Sequence, residues 1–138
     1  MQLSALNGSA TGEEPARKRG KLLRKRILLV DDQQSVREAI SLLLSLDEHT
    51  VMEASNGAEA MDLFRRDQFD LVITDFEMPK MKGNELAARI KQRSPTQPIL
   101  MITAYAERLR DFHNPVDAIL DKPFQLEDLR QAMAKLMS

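Results

Sequence analysis

Five side chains able to do polar chemistry stand at or just after short apolar runs. Asp31 and Asp32 follow ILLV (Ile27–Val30), Asp75 follows LVIT (Leu71–Thr74), Thr103 closes ILMIT (Ile99–Thr103), and Lys122 comes shortly after AIL (Ala118–Leu120). Three carboxylates drawn to one place repel, and each raises the others' pKa unless a cation lies among them. A hard divalent ion with oxygen ligands, Mg2+ above all, relieves that repulsion. An ammonium and a hydroxyl suit the oxygens of a phosphoryl group instead. The set therefore reads as a Mg2+ site beside a phosphoryl group. Asp31, Asp32 and Asp75 face the metal, Thr103 and Lys122 face the phosphoryl oxygens, and Asp75 is the candidate carboxylate nucleophile.

These residues converge only if the runs before them are neighbouring strands. Apolar runs of four or five residues without alternation are the mark of strands buried on both faces, and VMEA (Val51–Ala54) is a weaker one of the same kind. Helical spacing fills the intervals. Ser35-Val-Arg-Glu38 matches a capping box and leads into Val36, Ile40, Leu43 and Leu44. Ala58–Phe64 follows the turn signal Asn56-Gly57, and Gly83–Lys91 ends before Ser94-Pro95. Phe124–Leu136 carries Leu126, Leu129, Met133 and Leu136. Alternating strands and helices with short connections predict βαβ units, and hence a single α/β domain with a doubly wound five-stranded parallel sheet over residues 25–138. In such a sheet the ligand site lies outside the carboxyl ends of the strands, where all five polar residues fall.

Composition narrows the classes. The 138 residues carry 20 Lys+Arg and 21 Asp+Glu, a formal net charge of −1, and suit one domain. With no cysteine, disulfide stapling, thiol catalysis and Cys-ligated zinc are excluded. No apolar run reaches the length of a membrane span and the N-terminus has no apolar h-region, so a cytoplasmic location is expected. His49 reads as a turn residue and His113 as a solvated loop residue. The near-neutral total hides a basic run of Arg17, Lys18, Arg19, Lys21, Arg24, Lys25 and Arg26 ahead of an acidic body. Residues 1–24 are expected to be a disordered tail carrying this cluster. A solvated tail, a membrane tether to anionic lipid and a weak nucleic-acid contact all remain open for it. No aromatic interleaves the run and no recognition helix is visible, so no DNA-binding domain is expected.

The motifs DD (Asp31-Asp32), LVITDFEMPKMKG (Leu71–Gly83), ILMITA (Ile99–Ala104) and DKPF (Asp121–Phe124) together resemble the receiver domain of two-component response regulators, of the stand-alone, chemotaxis-regulator-like kind. The resemblance runs from about Arg26 to Met137 and implies a flavodoxin-like fold. It implies a phosphorylation switch in which Asp75 accepts a phosphoryl group from a sensor histidine kinase or a phosphotransfer protein, with Mg2+ as cofactor. Asp32 would bind the metal directly, Asp31 mainly through water, and the Glu77 backbone carbonyl would supply a further ligand. Thr103 and Lys122 would bind the phosphoryl oxygens, and the Lys122–Pro123 bond would be cis. A downstream protein would read the face formed by the fourth helix, fifth strand and fifth helix. Phosphorylation and dephosphorylation of Asp75 would be the chain's own chemistry, without turnover of a substrate.

Departures from that pattern carry expectations of their own. The stretch from Thr103 to Lys122 is short and contains Asn114-Pro115, which predicts a stunted fourth helix. Ile119 stands where the family usually has an aromatic side chain, so the signal is expected to leave through backbone movement of Ala104–Val116. Glu77 and Tyr105 are expected to face each other across the site and to set the lifetime of the phosphorylated state. The rival reading is a Mg2+-dependent phosphohydrolase with Asp75 as nucleophile and Glu77, two residues on, as its acid. A nucleotide-binding module is disfavoured because no Gly-rich loop follows the first run.

Overall fold

The computed structural model describes residues 23–110 and 114–137. Five strands form one parallel sheet: β1 (Arg26–Val30), β2 (Thr50–Ala54), β3 (Leu71–Asp75), β4 (Ile99–Thr103) and β5 (Ala118–Asp121). Their order is β2-β1-β3-β4-β5. The helices between and after them are α1 (Gln34–Leu46), α2 (Gly57–Arg66), α3 (Gly83–Arg93), α4 (Ala106–Arg110) and α5 (Leu126–Met137). The expected doubly wound sheet is thus present. The chain first winds outward from β1 to β2, then returns past β1 to β3. That reversal opens a crevice at the carboxyl ends of β1 and β3.

Successive side chains of a strand point to opposite faces, and the sheet uses both. Leu28, Val30 and Val72 pack with Ala60 and Met61 of α2 and with Leu86 and Ile90 of α3. Ile27, Leu29, Leu71 and Ile73 pack on the other face with Ile40 and Leu44 of α1 and Leu129 and Met133 of α5. Each such side chain removed from water contributes roughly 1.5–3 kcal/mol before the entropic cost of ordering it. This two-faced burial is why the strands read as unbroken apolar runs.

Several local expectations are corrected. Ser35 does not cap α1; the helix begins one residue earlier, its N-cap is Gln33, and no side chain bonds there. The reason lies upstream, where Asp31 Oδ1 accepts the Gln33 N–H at 2.9 Å and sets the turn into the helix. The side-chain cap appears instead on α2, where Asn56 Oδ1 accepts the Glu59 N–H at 2.8 Å and Glu59 Oε1 accepts the Ser55 N–H at 2.6 Å. The Ser55 N–H and the Ser55 hydroxyl, which donates to the same oxygen at 2.9 Å, hold the Glu59 carboxyl below its ordinary pKa. His49, expected as a turn residue, stands between the turn that closes α1 and the start of β2; it is buried, and its Nδ1 accepts the Lys25 N–H at 3.0 Å.

Most of the predicted tail, with Arg17, Lys18, Arg19 and Lys21, lies outside the described residues, as does His113. At the expected boundary, the exposed Arg24 pairs with Glu48 at 3.0 Å. Among the described residues α4 covers five, and the Asn114 side-chain amide donates to the Leu109 carbonyl. Asp47, closing α1, is buried and makes a two-pronged pair with Arg130 of α5 at 2.7 and 2.8 Å.

Candidate functional site

The carboxyl ends of β1 and β3 are adjacent, and their acidic residues meet there. Oxygens of Asp31, Asp32 and Asp75 all lie within 4.8 Å of one another. Asp31 is 2% exposed and Asp75 9%, whereas Asp32 is exposed. Burial pushes the Asp31 carboxyl above its ordinary pKa, against the Gln33 N–H and the Lys122 charge, which pull it down. Burial likewise raises Asp75, although Lys122 beside it acts in the opposite direction. Three oxygen donors that are costly to ionise together form the donor set a small hard cation relieves, so the residues fit Mg2+.

Lys122 follows β5 and reaches back over this edge. Its Nζ donates to Asp75 Oδ1 at 3.2 Å and lies 3.9 Å from Asp31 Oδ2. Its backbone N–H donates to the Thr103 carbonyl at 2.9 Å, and the Lys122–Pro123 peptide is cis as expected. Thr103 is fully buried at the end of β4, in register beside Asp121. Its Oγ1 accepts the Tyr105 N–H at 3.0 Å, and that bond leaves the hydroxyl proton available for an anionic oxygen. The structure therefore brings Asp31, Asp32, Asp75 and Lys122 into one cluster, with Thr103 at the same sheet edge.

Glu77 and Tyr105 each have a contact within their own segment. The Glu77 carboxylate pairs with Lys82 at 3.3 Å, on its own loop. The Tyr105 ring is 43% exposed and lies under the Arg108 guanidinium, 5.3 Å from the ring centre.

Three features escaped sequence reasoning. Arg37 of α1 donates from Nη1 to the Asp31 carbonyl at 2.8 Å and pairs through Nε with Glu53 at 2.9 Å. Gly83, the first residue of α3, passes so close to the Asp75 carbonyl that a Cβ there would overlap its oxygen and lie 3.1 Å from the Phe76 Cα. Its backbone torsion is ordinary, so that close approach is what requires glycine; only its position eight residues after Asp75 could have pointed to it. An apolar groove of about 610 Å3 lies beside Lys122, lined by Val36, Ala39 and Leu43 of α1 with Pro123 and Phe124.

Comparison with known proteins adds the following. The family described as the response regulator receiver domain matches residues 27–134. Response regulator MprA of Mycolicibacterium vanbaalenii is 37% identical over 115 residues, 81% of this chain and 50% of that protein. MprA of Mycobacterium avium is 36% identical over the same shares. The chain thus spans about half the length of the curated relatives it matches. Among solved structures, response regulator protein TrrA of Thermotoga maritima in complex with Mg2+–BeF superposes with a TM-score of 0.77 at 34% identity, over 81% of this chain and 98% of that one. Chemotaxis response regulator CheY4 of Vibrio cholerae gives 0.75 at 29% identity, over 83% and 99%.

Proposed function

The chain belongs to the response regulator receiver family, and from that premise we propose that Asp75 is its phosphoacceptor, with Asp31, Asp32, Asp75 and the Glu77 backbone carbonyl as the Mg2+ ligand set. One observation carries the assignment: three carboxylates lie within 4.8 Å of one another, with the Lys122 ammonium 3.2 Å from Asp75. When bound, Mg2+ supplies charge neutralisation for the incoming phosphoryl oxygens. Asp75 contributes the attacking carboxylate oxygen: an O–P bond forms, the P–N bond of a donor phosphohistidine breaks, and the donor imidazole leaves with the electron pair. The Lys122 ammonium takes up the negative charge delivered beside Asp75, and the Thr103 hydroxyl donates to a phosphoryl oxygen.

The donor is a histidine kinase or a phosphotransfer protein. The groove lined by α1, Pro123 and Phe124 supports a docking site beside Lys122, and Leu42 and Leu46 extend its apolar character along α1 into solvent. The receiving partner reads α4, β5 and α5, the part of the fold that bears Thr103 and Lys122 at its edge. A cytoplasmic location accords with this role; among the described residues no helix is long and apolar enough to cross a membrane.

Incubation with acetyl phosphate and Mg2+, followed by intact-mass measurement, tests the assignment. The wild type gains one phosphoryl group and Asp75→Asn gains none. Equal incorporation by both proteins would overturn the choice of acceptor.

A further inference from the structure

Arg37 occupies an unfavourable place for a cation, close to the N-terminus of α1, where the helix dipole is positive. Its side chain is nonetheless only 14% exposed. The guanidinium is a planar, rigid fork, and here its prongs hold two different strands. One donates to the Asp31 carbonyl at the end of β1, at 2.8 Å; the other pairs with Glu53 of β2, at 2.9 Å. Asp31 is fixed from other directions as well. Its N–H donates to the Ala54 carbonyl at 3.1 Å, and its Oδ1 accepts from Gln33. With N–H, C=O and Oδ1 all engaged, Oδ2 is the atom left turned toward Lys122 and the acidic cluster.

We propose that Arg37 is a positioning residue for the metal site: it clamps the Asp31 backbone to β2 so that the Asp31 and Asp32 carboxylates are held ready for the cation. This rests on the Mg2+ reading of the cluster. The proposal has a sign that separates it from a plain charge effect. A positive group near the acids opposes cation binding, so its removal would tighten Mg2+ if charge were its only contribution. Loss of a clamp behind the ligands weakens Mg2+, by about tenfold or more where such supporting contacts are removed from metal sites.

The test uses the full chain at neutral pH and constant ionic strength. Calorimetry gives the Mg2+ dissociation constant, and phosphorylation by acetyl phosphate gives the half-saturating Mg2+ and the maximal rate. Arg37→Met is expected to raise both Mg2+ constants about tenfold while the maximal rate at saturating Mg2+ stays near wild type. Arg37→Lys, which keeps the charge and loses the fork, is expected to shift in the same direction, and it decides the matter alone if Arg37→Met does not fold. Wild-type Mg2+ affinity in Arg37→Lys would overturn the proposal. So would equal or tighter binding in Arg37→Met, or a lower maximal rate at unchanged half-saturation. Absence of Mg2+ binding in the wild type, matched by Asp32→Ala, would instead defeat the metal reading on which the proposal stands.

Discussion

The two halves of the sheet hold the site in different ways. On β1 and β3, in the middle, every residue after Arg26 is buried, and the acids leaving these strands are fixed by backbone bonds, by Arg37 and by the close passage of Gly83. On the other half, β5 is an edge strand with no buried residue, and the α4 described beside it is five residues long. Asp31, Asp32 and Asp75 stand on the packed half, and Thr103 closes β4, which is buried throughout; Lys122 follows the loosely packed β5. On the proposed reading, the acids that take up the phosphoryl group are held rigidly, whereas Lys122, which answers its charge, follows a strand with little packing to lose. A conformational signal needs that asymmetry, since tightly packed cores resist continuous deformation and motion is drawn from the regions of low local stability.

The strongest way to break the comparison is to disturb the rigid half at Gly83. Gly83→Ala places a methyl group against the Asp75 carbonyl, where the nearest atoms are backbone and cannot turn aside. A loss of about 3 kcal/mol in denaturant unfolding is expected, with slower phosphorylation. A variant of wild-type stability would mean that the β3–α3 connection is as yielding as α4. Lys122→Ala strikes the looser half. If its ammonium answers the phosphoryl charge, as proposed, Mg2+ affinity should change little while the hydrogen-exchange response to phosphorylation is largely lost. A normal response in the phosphorylated variant would remove Lys122 from the relay.

A subtler probe is pH, without Mg2+. Because burial raises the Asp31 pKa in the folded state, the native protein binds more protons than the unfolded chain, and its stability falls as pH rises through that window. Asp31→Asn should accordingly stabilise the metal-free fold at pH 7, and the gain should disappear below about pH 4, where the carboxyl is protonated in both states. A gain that persists in acid would point to packing rather than charge. The smallest effect is expected from Asn114→Ala, which removes the side-chain donor to the Leu109 carbonyl. A global cost of no more than about 1 kcal/mol should accompany faster amide exchange confined to residues 104–116. Faster exchange along β3 as well would show that the halves are not independent.

The fold and the site's chemical groups were legible in the sequence because both depend on strand ends. Unbroken apolar runs such as ILLV and ILMIT are the pattern of strands buried on both faces, and a polar residue closes or follows each. What the sequence concealed depends on paths between elements. Ser35-Val-Arg-Glu38 has the letters of a capping box, but a bond from Gln33 to Asp31 had already set where α1 starts. Arg37 looks like any charged helix residue until β2 brings Glu53 beside it. His49 reads as a turn residue because its partner, the Lys25 amide, is 24 positions away.

The sheet also divides the apolar interior into two compartments with no shared side chains. Leu28 and Val30 belong to the α2–α3 side, and Ile27 and Leu29 to the α1–α5 side. Substitutions that share no partner across such a barrier act almost additively. The consequence is evolutionary: α1, which lines the groove beside Lys122, and α5, packed on the same face of the sheet, are free to vary while the α2–α3 side stays constant. Asp47 and Arg130 join those two helices directly, so they are expected to drift as a pair. A lineage can thus acquire a new correspondent without relearning how to fold.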